Sequence, residues 1–77
     1  GKLIEFAQAR GLEPPTIVEL REVVYAQRRM FEMEASLTLA DGVLMRGGPV
    51  RASSKKLARQ KAAAALHAVL VDEGEDA

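Results

Sequence analysis

The residues best suited to do chemistry are three cations at the start of the last helix that the sequence predicts. Lys55, Lys56 and Arg59 fall in its first two turns, and none of the thirteen preceding positions is acidic. A helix N-terminus carries about half a positive charge, so each cation there costs roughly 0.3–1 kcal/mol. Cations placed against the dipole indicate a bound anion, because free N–H groups, dipole and side chains would all face it. The alternative interpretation is a solvated charged face.

The charge distribution indicates that this anion is a polymer. The net charge is zero, yet residues 42–71 carry six basic and no acidic side chains. Residues 1–41 carry five basic and seven acidic ones, and residues 72–77 carry four acids. A partner feels the local field rather than the sum, since salt screens charges beyond roughly 8–10 Å. The sequence does not contain G-x-x-x-x-G-K-[ST], the phosphate-binding loop of proteins that bind mononucleotides.

Catalysis and metal binding find little support in the sequence. There is no cysteine, and His67 is the only histidine, with no second ligand beside it. Ser53 precedes Lys56 by three residues, as in serine acyl enzymes, but those need a larger fold with partner motifs. A helix cap is the preferred role for Ser53 or Ser54. We expect no catalytic residue, metal, cofactor or small-molecule substrate.

The length of 77 residues allows one small domain with a thin core. No stretch approaches the roughly 18 apolar residues of a membrane span, and no segment reads as a signal peptide. We expect a domain over residues 1–71, a flexible acidic tail over 72–77, and, because Gly1 already lies in helical pattern, a longer parent protein.

The elements that position these cations follow from hydrophobic periodicity. Residues 2–11 predict a helix with Gly11 as its C-cap, and residues 16–25 predict a strand. Val18, Leu20 and Val24 are expected to form one face of that strand. Residues 26–29 then form a polar link.

The next elements complete a hairpin and end in a long helix. Residues 31–38 alternate apolar and polar side chains, residues 40–42 supply a turn, and residues 43–46 form a third strand that the Gly-Gly-Pro at 47–49 ends. Residues 55–71 form the last helix. Its buried stripe is predicted to be Ala58, Ala62, Leu66 and Leu70.

These elements predict an α+β fold in the order α-β-β-β-α. A three-stranded antiparallel sheet would carry both helices on one face, leaving the face with Glu32 and Glu34 to water. Because that open face presents carboxylates and hydroxyls, a base-stacking RNA-recognition motif is disfavoured.

The start of the last helix also resembles a known family. Residues 54–66 (SKKLARQKAAAAL) resemble the signature of double-stranded RNA-binding domains, with serine, two lysines, any residue, alanine, a basic residue and then an alanine pair. Pro15 and Phe31 match a proline before the family's first strand and a phenylalanine that opens the second. Residues 5–12 are similar to the family's first helix, and the resemblance covers about residues 3–70.

The resemblance implies a module that binds A-form duplex RNA by shape through three regions. Such domains span about 16 base pairs, contacting two minor grooves and the major-groove phosphates between them. By position, Lys55, Lys56 and Arg59 would contact phosphates, while Glu5 and Gln8 would reach 2′-hydroxyls. It also implies double-stranded RNA as the partner, a parent protein that processes or regulates RNA, and an intracellular location, cytoplasmic or nuclear.

The link after the first strand departs from the family pattern. Similar domains have Gly-Pro, one residue and His there, and this chain has Val-Tyr-Ala-Gln at residues 24–27. Gln27 takes the histidine's place and would hydrogen-bond in the second minor groove, with Arg28 and Arg29 on phosphates. Ile4 also lies where a polar residue suits RNA better. These departures predict weaker or more context-dependent RNA binding. They leave open an alternative, a protein-interaction or homodimerisation domain with weak or no RNA binding.

Overall fold

A computed structural model describes the backbone of residues 1–75 and the side chains of residues 1–72. It confirms the α-β-β-β-α order and an antiparallel sheet with strand order β1-β2-β3. Neither helix of this described part is long and apolar enough to cross a membrane. The elements are α1 (Lys2–Ala9), β1 (Thr16–Tyr25), β2 (Arg28–Thr38), β3 (Leu44–Ala52) and α2 (Lys55–Glu75).

The core lies between the sheet and α2, with α1 closing one side. The four residues predicted as the buried stripe of α2 are all buried, which confirms the helical spacing. They meet the apolar face of β2, where Met33, Ala35 and Leu37 are buried, and α1 adds Leu3 and Ala7. Both helices therefore share one face of the sheet.

Helix α1 ends as its glycine predicts. Gly11 has a φ of 65°, and the N–H groups of Leu12 and Gly11 donate to the carbonyls of Ala7 and Gln8. This pair of bonds is the Schellman arrangement, in which a left-handed residue satisfies the last free carbonyls of a helix. Helix α2 runs to Glu75, beyond the predicted end at Val71. The domain boundary at 71 and the tail remain predictions, and residues 76 and 77 lie outside the described part.

Strand β3 does not end at the Gly-Gly-Pro run as predicted. It starts at Leu44 and continues to Ala52, and its register with β2 shifts between Met33 and Ala35. The strand absorbs Gly48 and Pro49 there as a bulge. Gly47 pairs with Ala35 and lies directly beneath α2, where an added Cβ would overlap the backbone nitrogen and Cα of Leu66. The absence of a side chain at Gly47 thus sets the distance between α2 and the sheet.

The predicted face of Val18, Leu20 and Val24 in β1 is wrong. The register with β2 shifts between Glu19 and Arg21, so Leu20 is an extra residue that reverses the alternation of side chains. Ile17, opposite Ala35, is the residue that packs on the core. Val18 and Val24 are 47% and 71% exposed.

The link between β1 and β2 is shorter than predicted. It consists of Ala26 and Gln27 alone, with φ values of 50° and 63°, while Arg28 and Arg29 belong to β2. Two consecutive residues with positive φ are the mark of a type I′ hairpin turn, which suits the right-handed twist of the two strands. Sequence reasoning missed it because this turn ordinarily takes Asn-Gly.

The open face of the sheet carries an ion-pair cluster in place of the solvated carboxylates expected there. Glu32 is only 7% exposed because Arg21 of β1 and Arg51 of β3 cover it. The Arg51 Nε–H donates to Oε2 at 2.8 Å, and Arg21 Nε lies 2.9 Å from Oε1. The hydrogen bond from Arg51 lowers the pKa of Glu32 below its ordinary value of 4.5, partial burial opposes this, and the charge of Arg21 adds to it. One carboxylate therefore ties all three strands together.

We predict that Gly47→Ala destabilises the domain by about 3 kcal/mol or more, since the new methyl group meets helix backbone that cannot rotate away. Urea denaturation followed by circular dichroism measures this. Gly11→Ala is the matched control, because its new Cβ meets open space. It should lower the free energy of unfolding by about 1–2 kcal/mol, which is the cost of the left-handed conformation for alanine. A Gly47→Ala protein as stable as the control would refute the close approach.

Stability should also depend on pH through Glu32. Because its pKa is lower in the folded than in the unfolded chain, its ionised form stabilises the fold fully above the ordinary value of 4.5. This contribution is lost as the pH falls through the folded pKa. We expect Glu32→Gln to lower the Tm at pH 7 and the difference from wild type to shrink below pH 4.5. Glu13→Gln, which removes an exposed loop carboxylate, is the control; a constant difference down to pH 2 would contradict the prediction.

Candidate nucleic-acid interface

The start of α2 is built on Ser54. Its Oγ accepts a hydrogen bond from the N–H of Leu57 at 3.1 Å, and its carbonyl accepts from Ala58 at 3.0 Å. Ser54 is therefore the N-cap that the sequence placed at either of two serines. Lys55 and Lys56 occupy the first turn with exposed side chains. A helix start has free N–H groups that point along the axis, so an anion here would meet both these groups and the lysines.

Lys55 has a partner that sequence reasoning missed. Its Nζ lies 3.6 Å from the carboxylate of Glu19 in β1 and 5.7 Å from the centroid of the Phe31 ring in β2. Glu19 reaches it because Glu19 pairs with Met33, on the helix side of the sheet. No local signal reveals this contact, since Glu19 precedes the bulge and lies far from Lys55 in the chain. Arg59 lies one turn beyond Lys55 on the same helix face.

Helix α1 places the second group of residues. Glu5 and Gln8 are exposed on its outer face, and Ile4 beside them is 50% exposed. The helix is anchored through Phe6, whose ring meets the His67 ring edge-on at a centroid distance of 6.4 Å. Half-buried His67 thus packs at the boundary between α1 and α2. His67 lies twelve residues along α2 from Lys55, about 18 Å at the helical rise.

The β1–β2 turn places the third group. Gln27 lies in the turn, and Arg28 and Arg29 open β2 with exposed side chains. Arg29 lies 3.5 Å from Glu22, a second acidic partner missed from the sequence. Arg28 is three residues from Phe31, or about 10 Å along the strand, in the direction away from the body of α2.

The three groups therefore lie in a row. Helix α1 lies beside the middle of α2, and the lysines are at the start of α2. The β1–β2 turn lies farther along the same direction, past the start of α2. The whole described molecule is elongated, with extents of 45 × 21 × 20 Å. Within the described residues no cluster of His, Asp or Glu could hold a metal ion. An extended row of cations and hydrogen-bonding groups is suited to a long anionic ligand.

Comparison with known families identifies the family to which the chain belongs. The family model described as "Double-stranded RNA binding motif" matches residues 1–70. The chain belongs to the double-stranded RNA-binding motif family. None of the curated proteins compared with the chain matches it. This match confirms the family resemblance. The members of the family are binding modules, and double-stranded RNA is the class of partner that the family indicates.

Proposed function

We propose that this double-stranded RNA-binding module binds A-form RNA through α1, the start of α2 and the β1–β2 turn together. The observation that supports this best is the row in which these three regions lie. A site of about 16 base pairs has a minor groove, a major groove and a second minor groove in succession along one side. The order of the three regions matches that succession, with the lysines in the middle.

Each region has chemistry that suits its part of the duplex. Lys55, Lys56 and Arg59 would contact phosphates across the major groove, assisted by the helix dipole. Glu5 would accept a hydrogen bond from a 2′-hydroxyl, and Gln8 would donate or accept one. Deoxyribose has no 2′-hydroxyl, so the α1 contacts would favour RNA over DNA.

The β1–β2 turn would make the third contact with fewer groups than the family pattern provides. The side chain of Gln27 would hydrogen-bond in the second minor groove, and Arg28 and Arg29 would meet phosphates nearby. We further propose that the module serves a larger, intracellular protein, cytoplasmic or nuclear, that processes or regulates RNA.

A second candidate is a protein-interaction or homodimerisation domain. It is favoured by an apolar groove of about 660 Å³ between α1, α2 and the start of β1, lined in part by half-exposed Ile4 and by the less exposed Pro15 and Ile17. A chain that shifts no RNA duplex and is dimeric by light scattering would support this candidate over the first.

Lys55→Ala combined with Lys56→Ala should weaken binding to an 18-base-pair RNA duplex by roughly tenfold or more at low salt, because charged hydrogen bonds are lost. The slope of log K against log salt should become shallower by about 1.8, or 0.9 for each phosphate contact. Fluorescence anisotropy across a salt series measures both. Arg46→Ala with Lys61→Ala removes the same charge away from the site and should leave affinity nearly unchanged. Equal effects of the two double variants would refute the assigned site.

Glu19→Gln should tighten duplex binding by up to about fivefold, because it frees Lys55 from a carboxylate that competes with phosphate. Glu34→Gln, the same charge change on the open face of the sheet, is the control for the overall field. Weaker binding by Glu19→Gln would mean instead that Glu19 holds Lys55 in the correct position.

A further inference from the structure

The tip of the β1–β2 hairpin exposes an aromatic ring among cations. Tyr25 is 76% exposed and its neighbour Val24 is 71% exposed, the highest values among the large apolar residues of the described chain. Tyr25 pairs across the ladder with Arg28, and Arg29 follows at the next position. A ring left so open to water contributes little to the stability of the fold, because little of its apolar area is buried.

The backbone that carries the ring is held in a defined place. The two-residue turn joins strands whose pairing continues to the last residues, Tyr25 opposite Arg28 and Val24 opposite Arg29. Tyr25, Ala26, Arg28 and Met30 line an open pocket at this tip. A flat ligand entering it would meet the aromatic ring on one side and a guanidinium close by.

Aromatic rings with adjacent arginines are the side chains that bind single nucleobases. A base stacks on the ring, and the cation attracts the neighbouring phosphate. A base inside a continuous duplex has both faces covered by its neighbours, so only an unpaired or terminal base can use such a ring.

We infer that Tyr25 stacks on an unpaired base beside the duplex, so that this module selects RNA duplexes interrupted or closed by unpaired nucleotides. The inference rests on the proposed function. Tyr25 pairs with Arg28, three residues from Phe31 in β2, so its ring lies on the open face of the sheet, about 10 Å along the strand from the ring of Phe31 under Lys55. A duplex site of about 16 base pairs is long enough to extend past the hairpin tip to this ring. The unpaired base would therefore lie inside the footprint of the domain.

The charges at the tip favour RNA over a second copy of the chain as the occupant. In a two-fold symmetric contact the same patch faces itself. Two tips joined through Tyr25 would bring both copies of Arg28 together, because Arg28 pairs directly with Tyr25, and like charges at close range are destabilising. The phosphates of a bound RNA would instead attract these arginine side chains.

The chain provides its own probe for the test. It contains one tyrosine and no tryptophan, so its intrinsic emission comes from Tyr25 alone. The 77-residue chain would be titrated with a blunt 18-base-pair RNA duplex, with the same duplex carrying one bulged adenosine, and with the same stem closed by a four-nucleotide loop. Emission, corrected for RNA absorbance, reports stacking, and anisotropy of labelled RNA reports affinity.

We expect quenching of Tyr25 by the bulged or looped RNA and little change with the blunt duplex. Affinity for the interrupted RNA should exceed that for the blunt duplex by about 5-fold to 150-fold, the range for stacking of one base. Tyr25→Ala should abolish this preference while keeping blunt-duplex affinity within about twofold. Tyr25→Phe should retain the preference, and Val24→Ala, which removes the exposed apolar neighbour, should retain it too.

Equal affinities for blunt and interrupted RNA with unchanged emission would overturn the inference. An equal loss of both affinities in Tyr25→Ala, or a wild-type dimer that Tyr25→Ala dissociates in light scattering, would do the same. If blunt-duplex binding still depends on Lys55 and Lys56, only this inference fails. If no duplex binds at all, the proposed function fails with it.

Discussion

Backbone-to-backbone approach between α2 and β3 is the contact on which the other elements depend. It is possible because Gly47 has no side chain where Leu66 crosses it, and because α2 presents Ala58 and Ala62 on the same face. A small domain buries little surface, so close packing of these few residues must supply much of its stability. The same contact fixes the direction of α2, and with it the position of the lysines relative to α1 and the hairpin.

Acidic residues serve opposite purposes on the two faces of the sheet. On the open face, Glu32 is enclosed by Arg21 and Arg51 and joins the three strands. On the helix face, Glu19 makes a longer contact with a lysine that remains 65% exposed. The first arrangement is structural, because both carboxylate oxygens are occupied at hydrogen-bonding distance. The second leaves the cation accessible to phosphate, which can replace a weak surface ion pair at little cost.

In the proposed binding mode, the hairpin would supply the third contact region although the usual loop of the family is absent. A two-residue turn cannot offer the loop's backbone to a groove, yet it carries Tyr25, Gln27 and Arg28 to the end of a paired ladder. Ala26 and Gln27 adopt left-handed conformations that cost non-glycine residues energy. The paired strands on either side must hold these two residues in that conformation. Strand pairing therefore fixes the backbone of the tip.

The sequence by itself determined the element order, the buried stripe of α2, the Gly11 cap and the cationic helix start. Each of these follows from local periodicity or from one residue's conformational preference, and local rules act within a few positions of the chain. Only the tertiary structure decided which residues of β1 face the core and where β3 ends. It also decided which acid contacts Lys55 and which arginines contact Glu32. A bulge at Leu20 reverses the side-chain alternation, and a second bulge carries β3 past Gly47, because pairing with β2 outweighs local turn signals. Contacts such as Glu19 with Lys55 join distant segments, so no local pattern could encode them.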